Sequence, residues 1–115
     1  YNDSGSDLAA NIVAMRKAGT ATYNVLIAAA STEPLRIVGV TQHIIANGSY
    51  GFIQKKGIGT VTCDAAVTAN AGLIVDGSTA GNVTHSGGVT NANFGFTVAG
   101  RVDAGTFSAH LNCQG

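Results

Sequence analysis

The sequence has little charge and no cluster of charges of one sign. Charged side chains make up 10% of the 115 residues, and the six basic and six acidic ones cancel. An average soluble domain carries about 25% charged residues. The basic residues stand singly or in pairs, whereas nucleic-acid binding requires several phosphates to be neutralised together. We therefore expect no DNA or RNA partner.

Long apolar runs are also missing. No apolar stretch approaches the ~20 residues that a membrane span requires, and the N-terminus shows no signal-peptide pattern. We therefore expect no membrane partner. The chain begins at Tyr1 rather than at methionine, so we expect that a preceding piece was removed or lies outside this sequence.

Cysteine is scarce, with only Cys63 and Cys113 in the chain. Two cysteines do not make a disulfide scaffold, and no four ligands stand at the tight spacing of a zinc site. Both cysteines fall on the apolar phase of an alternating stretch. This pattern predicts two small buried residues with free thiols, and a single disulfide between them is the alternative.

No catalytic constellation is present in the sequence. Three isolated histidines lie in a turn, a loop and a strand: His43, His85 and His110. His110 is three residues from Cys113, a spacing that points the two side chains to opposite faces of a strand. Three aspartates stand beside turns, where Asp bonds the backbone: Asp64, Asp76 and Asp103. We predict no catalytic residue, no metal ligand and no cofactor, and a small enzyme with a dispersed site is the weakest alternative.

What the sequence does contain is a turn-rich β pattern. Sixteen glycines punctuate short runs of Val, Ile, Thr and Ala. A strand–turn–strand unit appears twice, first at residues 39–42 and 48–52 and again at residues 95–98 and 105–109. Each copy has a Gly-apolar-Thr run, a polar turn and a Gly-(Ser/Thr)-aromatic restart, which predicts a β-hairpin.

The C-terminal stretch alternates almost without a break. Between residues 106 and 113 four side chains are expected inward (Phe107, Ala109, Leu111, Cys113) and three outward (Ser108, His110, Asn112). Phe94, Phe96 and Val98 share one phase of the preceding strand. We therefore expect Phe96 to be buried together with Phe107 and Leu111, whereas residues 81–93 have little to bury and are expected to form a loop.

The N-terminal third is ambiguous between helix and strand. Leu8, Ile12 and Met15 fit helical spacing, and residues 12–16 also fit a strand, which we favour because a ten-residue helix is marginal alone. Residues 1–11 have few apolar groups and are expected to form an arm. About eight short antiparallel strands over residues 1–115 predict one all-β domain, a small barrel or sandwich with at most one short helix.

Several stretches resemble the head decoration, or cement, proteins of tailed bacteriophages. The resemblance is carried by IVGVTQ at 37–42, IANGSYGFIQ at 45–54, GIGTV at 57–61 and NAGLIV at 70–75. The group shows a similar "GVAQ … GYGWVQ … G … V" pattern followed by a "GLIV"-like strand, with Trp where this chain has Phe52. The opening YNDSG resembles the group's start, which usually follows an earlier strand that would precede Tyr1.

The resemblance implies a non-enzymatic structural protein of the virion. Such proteins are made in the bacterial cytoplasm, bind the outer surface of the expanded head and tie neighbouring copies of the major capsid protein together. They often act as homotrimers at local three-fold axes. The alternative is a carbohydrate-binding or adhesin-like module of a phage fibre or tail. Sugar sites use exposed aromatic rings, and this chain has no Trp, with most Phe and Tyr on apolar phases.

If the chain is a cement protein, its N-terminal segment is the first candidate for the contact surface. Leu8, Ile12 and Met15 are the candidate anchors on the capsid or on another copy, and Lys55 and Lys56 are candidate rim contacts. The alternative for Ile12 and Met15 is packing in the domain's own core. The alternative for the lysine pair is a solvated strand end that protects a sheet edge from aggregation.

Overall fold

The computed structural model describes residues 1–19, 23–30, 32, 36–86 and 93–113. These residues form short β-strands and no α-helix, which confirms the predicted fold class. The strands are β1 Val13–Arg16, β2 Val25–Ile27, β3 Ile37–Thr41, β4 Ile53–Gln54, β5 Lys56–Cys63, β6 Leu73–Val75, β7 Val83–His85, β8 Gly95–Thr97 and β9 Gly105–Asn112. Over the described ranges no helix is long and apolar enough to cross a membrane.

The strands form two sheets. The first has four strands in the order β2-β1-β3-β4, and the second has five in the order β6-β7-β5-β9-β8. The pairings between these strands are antiparallel except that of β5 with β7, a parallel bridge between Cys63 and Val83. The longest ladder joins β5 and β9 over eight residue pairs, from Lys56 opposite Asn112 to Cys63 opposite Gly105.

The main core lies between the two sheets. Alternation on each strand turns one set of side chains inward, and burial of their apolar surface stabilises the fold. From the four-stranded sheet come Val13, Met15, Ile37 and Val40; from the five-stranded sheet come Val61, Cys63, Leu73, Val75, Val83, Phe107, Ala109 and Leu111. The inward phase predicted for residues 107–113 is therefore confirmed, and both cysteines are buried with free thiols.

A second apolar cluster lies on the outer face of the four-stranded sheet. It contains Leu8, Ile12, Ala14, Val25 and Ile45, with the partly buried Ile27, Val38 and Ile53 packed against it. Two segments cover this face: residues 1–12 and the β3–β4 connection, residues 42–52. We call these two segments the outer cover.

Backbone hydrogen bonds hold the outer cover in place. Leu8 and Ile45 exchange both N–H···O bonds at 2.9 Å, and the amide of Asn2 donates to the Ser49 carbonyl at 3.0 Å. The side chain of Asn2 is fully buried and donates to the Ile45 carbonyl at 2.8 Å. The prediction of an N-terminal arm over residues 1–11 is therefore wrong, because backbone pairing supplies the order that the few apolar groups could not.

The two edge strands of the five-stranded sheet also approach each other. Gly72 and Phe96 form an antiparallel bridge, the Phe94 amide donates to Leu73 at 3.1 Å, and the Thr97 amide donates to Ala71 at 2.8 Å. These bonds satisfy backbone groups that an open edge would leave unpaired.

Three further sequence predictions need correction. The stretch 81–93 is not only a loop: Val83–His85 forms β7, which pairs with β6 and buries Val83; residues 87–92 lie outside the described ranges. In the first hairpin the returning strand begins at Ile53, so residues 48–52 belong to the connection. Phe96 does not join Phe107 in the core: it lies on the opposite face, stacked on His110 at 4.7 Å between ring centroids.

Candidate functional site

The predicted contact residues divide into buried and exposed sets. Leu8, Ile12 and Met15 are interior side chains, so the alternative of packing in the domain's own core is the correct one for Ile12 and Met15 and holds for Leu8 as well. They are therefore not surface anchors. Lys55 and Lys56 are exposed at the start of β5, and their role as rim contacts stays a prediction.

The exposed apolar surface is aromatic and lies elsewhere. Tyr23, Tyr50 and Phe52 are 81%, 85% and 87% exposed, whereas Phe94 and Phe107 are buried. Most Phe and Tyr residues stand on apolar phases of the sequence, but the inference that their rings are therefore unavailable to a ligand is wrong. Monomeric domains do not usually leave several large rings in solvent within one region, and such patches mark interaction sites.

One of these rings, Tyr23, lines a shallow groove on the outer face of the four-stranded sheet. The groove has a volume of about 130 Å³ and is lined by Tyr1, Arg16, Tyr23, Asn24, Val25, Val38, Gly51 and Ile53. Each of the four strands contributes one lining side chain, so the groove crosses the sheet where the outer cover ends. We call this feature the aromatic groove. Its rim is defined by two further residues: Tyr50, which contacts the lining residue Tyr1, and Phe52, which stands in the chain between the lining residues Gly51 and Ile53.

The local fold fixes the rim. Tyr1 and Tyr50 meet edge to face with ring centroids 5.1 Å apart, an arrangement that aromatic pairs favour. The Phe52 amide lies 3.4 Å from Nε2 of His43, and the His43 Nδ1 lies 3.0 Å from the Ile44 carbonyl. Gly48 has a φ of 76°, which lets the connection turn at the Asn47-Gly48 pair.

The lining of the aromatic groove includes one cationic side chain, Arg16. The guanidinium of Arg16 lies 5.8 Å from the centroid of the Tyr23 ring, a cation–π distance. The nearby carboxylate of Asp3 is already engaged, with Lys17 Nζ at 2.9 Å and Asn24 Nδ2 at 3.1 Å. The hydrogen bond from Lys17 is the main cause that lowers the pKa of Asp3 below its ordinary value.

A smaller apolar row crosses the outer face of the five-stranded sheet. Ile58 on β5 is 58% exposed and is opposite His110 on β9, and His110 is in turn opposite Phe96 on β8. The row therefore spans three neighbouring strands. We call it the Ile58 row.

The placement of the titratable side chains bears on metal binding and on turn formation. In the described ranges no group of three or more His, Cys, Asp or Glu is placed to hold a metal ion. Backbone amides of Ser78 and Thr79 donate to Asp76 and lower its pKa, as expected for a turn former. Burial raises the pKa of the Cys113 thiol to about 11, against a smaller opposing effect of Lys55.

Sequence reasoning missed the aromatic groove because the rings occupy strand-like phases. Tyr23 precedes Val25 and Ile27 with period 2, and Tyr50 and Phe52 precede Ile53 within a run that reads as a returning strand. The available signal was the spacing Gly48-Ser49-Tyr50-Gly51-Phe52. Glycines that flank aromatic residues weaken a strand and are typical of an exposed turn.

Comparison of the chain with family models, with curated proteins and with solved structures found no match.

Proposed function

We propose that the protein is a structural virion protein that binds the outer surface of a phage head and stabilises it. The observation that carries the proposal is the aromatic groove, where Tyr23, Tyr50 and Phe52 stand in solvent on a domain with zero formal net charge. Tyr and Arg are enriched among the residues that dominate protein–protein binding energy. The resemblance of residues 37–75 to cement proteins supports a capsid as the partner.

The aromatic groove suits a docking role because it is already ordered. Tyr1 is held by a backbone hydrogen bond from Val25, Tyr50 by its ring contact with Tyr1, and the Phe52 amide lies 3.4 Å from Nε2 of His43, so little conformational freedom is lost when a partner binds. Rings of this size bury about 150–250 Å² each. Docking through them would tie the domain to the major capsid protein without any chemical step or cofactor.

We also propose that the protein acts as a homotrimer. Copies joined around a symmetry axis hold one another near the shell at high effective concentration, and a closed cyclic arrangement prevents open-ended assembly. The Ile58 row is the candidate contact between copies, with Lys55 and Lys56 at the rim of either interface. Sedimentation equilibrium of the purified protein tests the stoichiometry in solution. A protein that is monomeric at all concentrations, and that also binds heads as single copies, would contradict the homotrimer.

Reconstitution tests the head-binding function. Purified protein is added to expanded heads that lack it, and binding and the temperature of head disruption are measured. Saturable binding with a higher disruption temperature is expected for the wild type. Phe52→Ala should bind weakly, whereas Val102→Ala, which truncates another exposed side chain that is not part of the groove lining, should bind normally. Absence of binding by the wild type would overturn the proposal.

A carbohydrate-binding module is the second candidate function. Exposed rings beside the planar polar groups of Arg16 and Asn24 are also how proteins hold sugars, and Tyr23, Tyr50 and Phe52 supply such rings although the chain has no Trp. Binding of the wild type to an immobilised glycan panel, lost in Tyr23→Ala and absent on heads, would favour this function over cement.

A further inference from the structure

The cationic side chain of the aromatic groove, Arg16, has no hydrogen-bond acceptor among the described residues. Among the described residues the guanidinium of Arg16 makes a ring contact with Tyr23 and no hydrogen bond or ion pair. Two other basic residues differ from Arg16: Lys17 pairs with Asp3, and Arg101 donates to three carbonyls. Arg16 therefore retains the full donor capacity of its planar fork.

The position of Arg16 makes that donor capacity available to a bound molecule. Arg16 ends β1 with its side chain exposed and lines the groove. The Tyr23 ring limits the orientations of the guanidinium, so less freedom is lost when it binds. None of the eight lining residues is acidic, and the carboxylate of Asp3 is held by Lys17 and Asn24. The groove thus presents an unneutralised positive charge among apolar and aromatic surfaces.

We propose that the aromatic groove takes an acidic segment of the head protein, with one Asp or Glu carboxylate bound by Arg16. This inference rests on the proposed head-binding function and names the chemistry of the partner. A carboxylate matches the guanidinium fork in a two-bond geometry, and the flanking residues of the segment lie on the rings of Tyr1, Tyr23 and Tyr50. Docking removes water from the pair, which strengthens its attraction.

Binding of protein variants to heads that lack the protein tests the inference. Arg16→Gln removes the charge and Arg16→Lys keeps the charge without the fork. Arg36→Gln is the matched control, because Arg36 is exposed and is not part of the groove lining. Each variant is first checked for a wild-type circular dichroism spectrum and melting temperature, and binding is then titrated at several salt concentrations.

The expected result is a loss of affinity of about 30-fold for Arg16→Gln, a smaller loss for Arg16→Lys, and a change within about twofold for Arg36→Gln. The dependence of binding on salt should also be weaker for Arg16→Gln than for the wild type. If Tyr23→Ala and Phe52→Ala bind heads poorly while Arg16→Gln binds like Arg36→Gln, the protein still docks through the aromatic groove. The proposal that Arg16 binds an acidic segment is then refuted.

Two other outcomes overturn the inference together with the function on which it rests. One is that the wild type does not bind heads at all. The other is that the wild type binds polygalacturonate oligosaccharides and not heads, in which case Arg16 serves an acidic sugar. These two outcomes can be distinguished from failure of the acidic-segment inference alone. If only that inference fails, the wild type still binds heads.

Discussion

The guanidinium of Arg101 occupies the space that a β-carbon on Gly105 would fill. Three carbonyls accept hydrogen bonds from this guanidinium, each at 3.1 Å: those of Asp103, Ala104 and Thr106. Gly105 has a φ of 146°, a backbone conformation that residues with a β-carbon rarely adopt. Arg101 and Gly105 together therefore fix the turn that joins β8 to β9.

We predict that Gly105→Ala lowers the free energy of unfolding by about 1–3 kcal/mol, because it adds backbone strain and displaces the guanidinium. Urea denaturation measures the change. Gly19→Ala is the matched control: Gly19 also has a positive φ, of 76°, but a β-carbon added there would have no neighbour within 4 Å, so the substitution should cost only about 1 kcal/mol of backbone strain. Equal losses for the two variants would show that the Arg101 contact contributes nothing.

A second prediction concerns the buried amide of Asn2. Its Nδ2 donates to the carbonyls of Ile45 and Ser6 at 2.8 and 2.9 Å, and its Oδ1 accepts from the Ser4 amide at 3.1 Å. Asn2→Ala should cost about 1–3 kcal/mol, since buried polar groups lose their partner. Hydrogen exchange should accelerate at the Ile45 amide more than at the Ala109 amide. Unchanged exchange at Ile45 would contradict the role of Asn2 in holding the outer cover.

A third prediction separates the two faces of the β8–β9 pair. Phe107 is buried in the main core and Phe96 lies on the outer face against His110. Phe107→Ala should cost about 3–5 kcal/mol, whereas Phe96→Ala should cost about 0.5–1.5 kcal/mol, the scale of an aromatic contact. Thermal and urea unfolding compare the variants, and a larger loss for Phe96→Ala would show that the faces are assigned in reverse.

A fourth prediction concerns the Cys113 thiol. Burial raises its pKa from 9.0 to about 11, so the folded state favours the neutral thiol. That contribution to stability is complete below pH 9 and is lost as the pH rises towards 11. Native protein at pH 8 should react slowly with a thiol reagent, and labelling should become fast in urea. Ser108→Cys, on the exposed face of the same strand, is the control and should react at once; equally fast labelling of the wild type would contradict burial.

Local alternation was enough to predict the strands whose two faces differ. Residues 107–113 alternate between apolar and polar side chains, and the structure turns the apolar set inward. The same rule failed for Phe96, because the buried residues of β8 are Gly95 and Thr97. The backbone of β9 lies so close to Gly95 that a β-carbon there would clash with it. A glycine that permits close backbone approach leaves no apolar side chain to mark the buried face.

The candidate site depended on contacts that no local pattern records. Tyr1 and Tyr50 are far apart in sequence and meet only because residues 1–12 and 42–52 cover the same sheet face. Leu8 and Ile12 looked available to a partner because their covering residue, Ile45, is more than thirty positions away. Surface exposure of Tyr23 and Phe52 likewise follows from where the outer cover ends, which is a property of the assembled domain.

The most direct test of head binding through the aromatic groove is cryo-electron microscopy of expanded heads that lack the protein and are then incubated with it. We predict regular protrusions on the outer shell, in which Tyr23, Tyr50 and Phe52 face the capsid surface. A bare shell at saturating protein concentration, or protrusions in which these three side chains point away from the shell, would contradict the account.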